Sequence, residues 1–153
     1  MRVKKIISGR QAGVDRAALD IALELKIPQG GFCPLGRLAE DGIIPSKYKL
    51  IEYDSIKYED RTIKNVESSN GTLILHVGII SDGTKLTKEY CSQIDKPIML
   101  INILGESKLH STNFNHWLKI NSINILNIAG PRESEGEIYS VTKKVLRNLI
   151  CNK

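Results

Sequence analysis

Nowhere in the chain does an uncharged apolar run approach the roughly 20 residues that a membrane-crossing helix needs. The first segment, Met1-Arg2-Val3-Lys4-Lys5-Ile6-Ile7-Ser8, meets Gly9 and further charge after only two isoleucines. That is too short for the apolar core of an export signal, so a soluble, cytoplasmic protein is expected. Aromatic residues make up only 5% of the chain, which argues against a stacking platform for single-stranded nucleic acid. The three cysteines, Cys33, Cys91 and Cys151, are odd in number and share no short spacing. They form neither a disulfide framework nor a zinc knuckle and suit a reducing compartment. His76, His110 and His116 are equally scattered, and no protein-bound metal is expected. Repeats, low-complexity tracts and linkers are absent, so the 153 residues read as one domain. The formal charge of +5 comes from Lys and Arg spread along the chain; it suits solubility or an anionic ligand better than a nucleic acid.

What is present is an alternation of short apolar runs and amphipathic segments. Val3 to Ser8 reads as a strand. Gly13 to Leu25 reads as a helix, with Val14, Ala18, Ile21, Ala22 and Leu25 on one face. Ile27 to Pro34 resembles a second strand, and an irregular segment runs on to about Asp54. Ser55 to Glu67 forms a helix on which Tyr58, Arg61, Thr62 and Asn65 share a polar face. Thr72 to Val77 is an apolar run of the kind found in a central parallel strand. A helix from about Lys85 to Ile94, a strand at Pro97 to Ile101, a helix at Asn113 to Asn121, a strand at Ile123 to Ile128 and a helix from Ile138 to Ile150 complete the chain. This order predicts an α/β protein, a three-layer Rossmann-like fold around a mostly parallel sheet. Its ligand edge is the one where strands end at their carboxyl termini.

Three turns on that edge carry unusual residues. Gly9-Arg10-Gln11-Ala12-Gly13 precedes the first helix, where glycines allow close backbone approach and unpaired N–H groups attract an anion. Ser81-Asp82-Gly83-Thr84 repeats the pattern after the apolar strand, with Thr84 also readable as an ordinary N-cap. Gly130-Pro131-Arg132-Glu133-Ser134 follows the last strand, and Arg132 is the side chain expected to grip phosphate through two N–H groups. Asp15 and Arg16 occupy the first turn of the first helix, where Asp15 would meet a hydroxyl, a cation or its neighbour. Glu89 is the one weak candidate for a catalytic side chain; its ordinary reading is a solvated helix residue. Cys33, beside Phe32 at a strand end, reads as packed rather than nucleophilic.

These residues carry a family resemblance. Ile7 to Asp20 is similar to the IISGGQTGVDRAALD signature of the putative molybdenum carrier family, with Arg10 and Ala12 in place of its second glycine and its threonine. Further matches are Gly30-Gly31-Phe32-Cys33-Pro34, Ala39-Glu40-Asp41-Gly42, Arg61-Thr62 with Asn65-Val66, Gly83-Thr84 with Thr87 and Glu89, and Asn127 to Ser134. The resemblance implies a fold akin to LOG-type nucleotide phosphoribohydrolases and related nucleotide-sensing domains. It implies a phosphate-bearing ligand, a molybdopterin-type molybdenum cofactor or a nucleotide, and a homo-oligomer, dimer or tetramer. The first reading is a carrier that cradles phosphate on Gly9, Arg10, Gln11, Gly13, Gly83 and Thr84. Asp15, Arg16, Arg61, Asn65, Gly130, Arg132 and Ser134 would stand around it. The alternative is hydrolysis of a nucleoside monophosphate's N-glycosidic bond, which in the LOG pattern uses an Arg and the Glu of PGGxGTxxE. A nucleic-acid or nucleotide-sensing domain is the third.

Overall fold

The computed structural model describes residues 3–9, 12–55, 57–80, 82–105, 107–133 and 137–151. Arg10, Gln11, Ser81 and Ser134 of the expected site lie outside them.

Five strands pair in parallel throughout: β1 (Lys5–Ser8), β2 (Gln29–Gly30), β7 (Gly71–His76), β8 (Ile98–Asn102) and β9 (Ile125–Ala129), in the spatial order β2-β1-β9-β7-β8. Such strands are buried on both faces and therefore apolar along their length. Leu73, Ile74, Leu75, Leu126 and Ile128 are fully buried. On one face lie α1 (Val14–Glu24), α5 (Ile138–Cys151) and α4 (Ser107–Ile120), packed in series; α2 (Tyr58–Glu67) and α3 (Asp82–Gln93) pack together on the other. The α/β three-layer architecture is the one expected.

Several boundaries differ from the sequence reading, each for a physical reason. The apolar run at 27–34 is cut by Gly31, whose φ of +130° turns the chain out of the main sheet. β2 therefore ends at Gly30, and β3 (Phe32–Pro34) pairs instead with β6 (Ile51–Tyr53). The segment read as irregular also holds a small antiparallel pair, β4 (Leu38–Ala39) with β5 (Gly42–Ile43). It is organised by Arg37, whose guanidinium donates to the carbonyls of Ile44, Pro45, Tyr48 and Leu50. Helix α4 starts at Ser107, six residues ahead of the expected Asn113, and seats Phe114, Trp117 and Leu118 in the core. Helix α3 starts at Asp82, so Gly83 and Thr84 belong to its first turn and Thr84 is not its N-cap.

Polar ties hold α1 in place. Asp20 accepts the hydroxyls of Tyr48, at 2.5 Å, and of Tyr139, while Glu24 takes Lys143 and Arg147 of α5. Burial and the Asp20 carboxylate push both phenols well above the usual range. The hydrogen bonds from Lys143 and Arg147 hold Glu24 below the usual carboxylate range.

Cys33 and Cys91 are fully buried, and Cys151 is exposed. Burial also pushes the Cys91 thiol up, and a buried thiol that is harder to ionise reacts slowly. A thiol reagent at neutral pH is therefore expected to modify Cys151 first, and Cys33 and Cys91 only as fast as the protein opens. Peptide mapping after brief alkylation checks this, and rapid labelling of Cys33 would contradict the packed assignment.

Candidate functional site

In the order β2-β1-β9-β7-β8, the step from β1 to β2 runs toward one edge of the sheet and the step from β7 to β8 toward the other. The direction of winding reverses around β9. Open α/β sheets leave a crevice at such a reversal, outside the carboxyl ends of the strands. A cleft stands there, lined by Gly9 after β1, Asp15 of α1, Phe32 of β3, Arg61, Thr62 and Asn65 of α2, Gly83, Thr84 and Thr87 of α3, and Asn127 to Gly130 of β9. Its inner space is about 40 Å³, more than the 10–15 Å³ that one water needs.

The local sequence explains why these groups converge. Spacings of three and four put Arg61, Thr62 and Asn65 on one side of α2. Asn65 spends its side-chain oxygen on the Phe32 N–H, at 2.8 Å, which ties α2 to β3. The first turn of α3 enters the cleft at Gly83 and Thr84, so N–H groups with no intrahelical acceptor border it and the positive end of the helix dipole adds to them. Thr87 donates back to the Gly83 carbonyl at 3.2 Å. Arg61 is only 5% exposed, and Asp15 only 9%. The Ser8 hydroxyl donates to the Ile128 carbonyl at 2.7 Å and lies 3.4 Å from the Asp15 carboxylate. One buried guanidinium, one helix start and one buried carboxylate thus share a small polar cleft.

Not all of the expected residues meet there. Gly9, Asp15, Arg61, Asn65, Gly83, Thr84 and Gly130 do. Arg16 does not: it lines a wider hollow of about 640 Å³ with Asp20, Tyr48 and Tyr139, bridges to Asp41 at 2.9 and 3.1 Å and lies over the Tyr48 ring. Consecutive helix positions point about 100° apart, so Asp15 and Arg16 serve different faces. Gly13 borders that hollow too and is pressed against the turn after β9. A Cβ there would come within 2.7 Å of Pro131 O and Glu133 N, at a φ of +96°, so close packing of two turns is what requires the glycine. Arg132 is exposed and is not among the lining residues; Glu89 is exposed on α3, also outside the cleft. Counting GTxxE from Gly83 brings its glutamate position to Thr87.

Asn127, Thr87, Thr62 and Phe32 border the cleft although none was among the expected ligand-binding residues. Asn127 left a readable signal, because a polar residue in the middle of the apolar strand Ile125-Leu126-Asn127-Ile128 must find partners when buried.

Comparison with known proteins agrees with this fold. The model of the circularly permutated YpsA SLOG family matches residues 6–150. The chain belongs to that family. No curated protein matches it. This SLOG-family chain is also similar to a protein of Syntrophus aciditrophicus SB, solved at 1.45 Å and described as a putative molybdenum carrier protein. The two are 43% identical, over 97% of this chain and 95% of the other, with a TM-score of 0.93. No helix of the described residues is long and apolar enough to cross a membrane. The described residues contain no group of three or more His, Cys, Asp or Glu that could hold a metal ion.

Proposed function

We propose that the protein is a small-molecule carrier that holds the phosphate of an organic ligand, a molybdopterin-type cofactor or a nucleotide, in the cleft at the end of β9. One observation carries the reading: the buried Arg61 guanidinium and the start of α3 face the same small space. Arg and a helix N-terminus are complementary to a phosphate's charge and acceptor oxygens. Any molybdenum would travel on the organic part of the ligand, because the described residues of the cleft bring no soft thiolate or imidazole ligand to a metal. The likeness to a putative molybdenum carrier protein supports the cargo class. Native mass spectrometry of gently purified protein tests the reading, since a retained pterin or nucleotide identifies itself by mass. A retained ligand without phosphate would overturn it.

The second reading, N-glycosidic hydrolysis, is favoured by one observation, the presence of Asp15 and Arg61 in one cleft as an acid and arginine pair. Against it, Thr87 holds the place of the glutamate in the GTxxE pattern, and a threonine is no general base at neutral pH. Incubation with AMP is expected to release no adenine above background, as read by chromatography; steady release that Asp15→Asn abolishes would reinstate the enzyme.

Arg132, outside the cleft, is assigned a peripheral contact. Arg132→Ala is expected to change the dissociation constant for a bound phosphate ester by less than about threefold, the scale of an exposed ion pair, as read by calorimetry. The proposal includes a homo-oligomer, dimer or tetramer, the usual outcome for symmetric assemblies. Sedimentation showing only monomer at tens of micromolar, roughly where an ordinary interface persists, would remove that part.

A further inference from the structure

The cleft contains an unmet demand that a bare oxyanion does not satisfy. Asn127 is 2% exposed and sits on β9 opposite Thr72 of β7, its register partner. Partners in adjacent parallel strands project to the same face of the sheet. That face is the one under α2 and α3, because Thr72 also bonds Cys91 of α3. The Asn127 Nδ2 donates to Thr72 Oγ1 at 3.3 Å. Its Oδ1 is buried and has no hydrogen-bond partner.

The Thr72 oxygen accepts from the amide, so Nδ2 faces Thr72 and Oδ1 is the atom left over. An orphaned buried carbonyl oxygen calls for a donor. Molybdate and the dianionic phosphate group of an ester offer acceptors only, whereas inorganic phosphate, HPO4²⁻, keeps one hydroxyl; Asp15 adds a second acceptor to the same cleft.

Resting on the phosphate-binding reading above, we infer that Asn127 is a specificity-determining residue that accepts a hydrogen bond from a hydroxyl of the ligand. The cleft then selects hydroxyl-bearing phosphate monoesters over bare oxyanions such as molybdate. Arg61 and the start of α3 take the phosphate; Asn127 and Asp15 take hydroxyl protons. Thr72 acts as a positioning residue that fixes the orientation of the amide.

The test uses glycerol 3-phosphate, n-propyl phosphate, inorganic phosphate and molybdate as probes, titrated by calorimetry into wild type, Asn127→Leu and Thr72→Val. The first two probes differ only in hydroxyls. Wild type is expected to bind glycerol 3-phosphate about tenfold tighter than n-propyl phosphate and molybdate, the scale of one buried acceptor left unmet, with inorganic phosphate, which keeps one hydroxyl, serving as the reference for the phosphate grip alone. Asn127→Leu is expected to bring glycerol 3-phosphate within about twofold of n-propyl phosphate, read as the ratio of the two affinities in the same variant. Thr72→Val, nearly isosteric, is expected to lower the same ratio by freeing the amide to turn, and it decides the matter if Asn127→Leu fails to fold. Equal binding of the two esters by wild type would overturn the inference and leave the phosphate reading standing. So would tighter binding of molybdate, or full selectivity retained in folded Thr72→Val. Binding of none of the four would sink the phosphate reading and this inference with it.

Discussion

Arg61→Met is expected to weaken binding of glycerol 3-phosphate by about 10- to 100-fold, the range for losing a hydrogen bond to a charged group. Methionine fills much of the same volume without charge, so the cleft keeps its walls and loses its buried cation. Arg61→Lys is expected to recover only part of the loss, because an ammonium on a flexible stem does not reproduce a planar fork. The size of the effect follows from burial. Arg61 is 5% exposed, so water screens its charge far less than it screens an exposed arginine. Calorimetry on both variants, with far-UV circular dichroism to confirm the fold, checks the expectation. Unchanged affinity in Arg61→Met combined with a large loss in Arg132→Ala would move the phosphate grip out to the turn after β9.

Gly31→Ala is expected to cost about 3 to 5 kcal/mol of stability, at the upper end of single-site effects. A Cβ at position 31 would lie 2.1 Å from the Ser8 carbonyl oxygen. No real contact is that short, and both partners are backbone, so no side-chain rotation relieves it. The φ of +130° adds strain for any L side chain. For a chain of this length the change corresponds to a fall in Tm of roughly 10 °C. It also reaches the site, because Gly31 is where the chain leaves β2 to place Phe32 against Asn65. Thermal unfolding followed by circular dichroism measures the effect, and a Tm within about 2 °C of wild type, no more than the shift for about 1 kcal/mol, would show that the close approach is relieved by movement of the backbone.

The sequence made the central layer legible because its signal is strong: buried parallel strands are apolar throughout, as at Leu73-Ile74-Leu75. The polar face of α2 was equally readable, and Arg61 and Asn65 do stand in the cleft. Other features depend on partners far away in the chain. β3 pairs with β6 across residues 35–50, which hold the β4–β5 pair, and strands of three residues carry too short a pattern to announce a distant partner. The early start of α4 was hidden by the mostly polar run from Ser107 to Thr112, where the helical core face of Ser111, Phe114 and Leu118 anchors the register. Arg16 looked like a site residue because it adjoins Asp15; the helix sends it to the opposite side of the turn, where Asp41 and Tyr48 receive it. Asn127 passed as part of a strand because a single polar residue does not change the periodicity, although its burial leaves the side-chain oxygen without a partner.

The account stands most directly on where a phosphate ester binds. A titration of the 17.1 kDa protein with glycerol 3-phosphate, followed through backbone amide chemical shifts, locates the site without assuming it. The largest shifts are expected at Gly9, Asn65, Gly83, Thr84 and Gly130, with little change at Tyr48 and Tyr139 across the turn. Shifts that cluster around Tyr48, Tyr139 and Ala12 instead, with Gly83 and Thr84 unmoved at saturation, would contradict it.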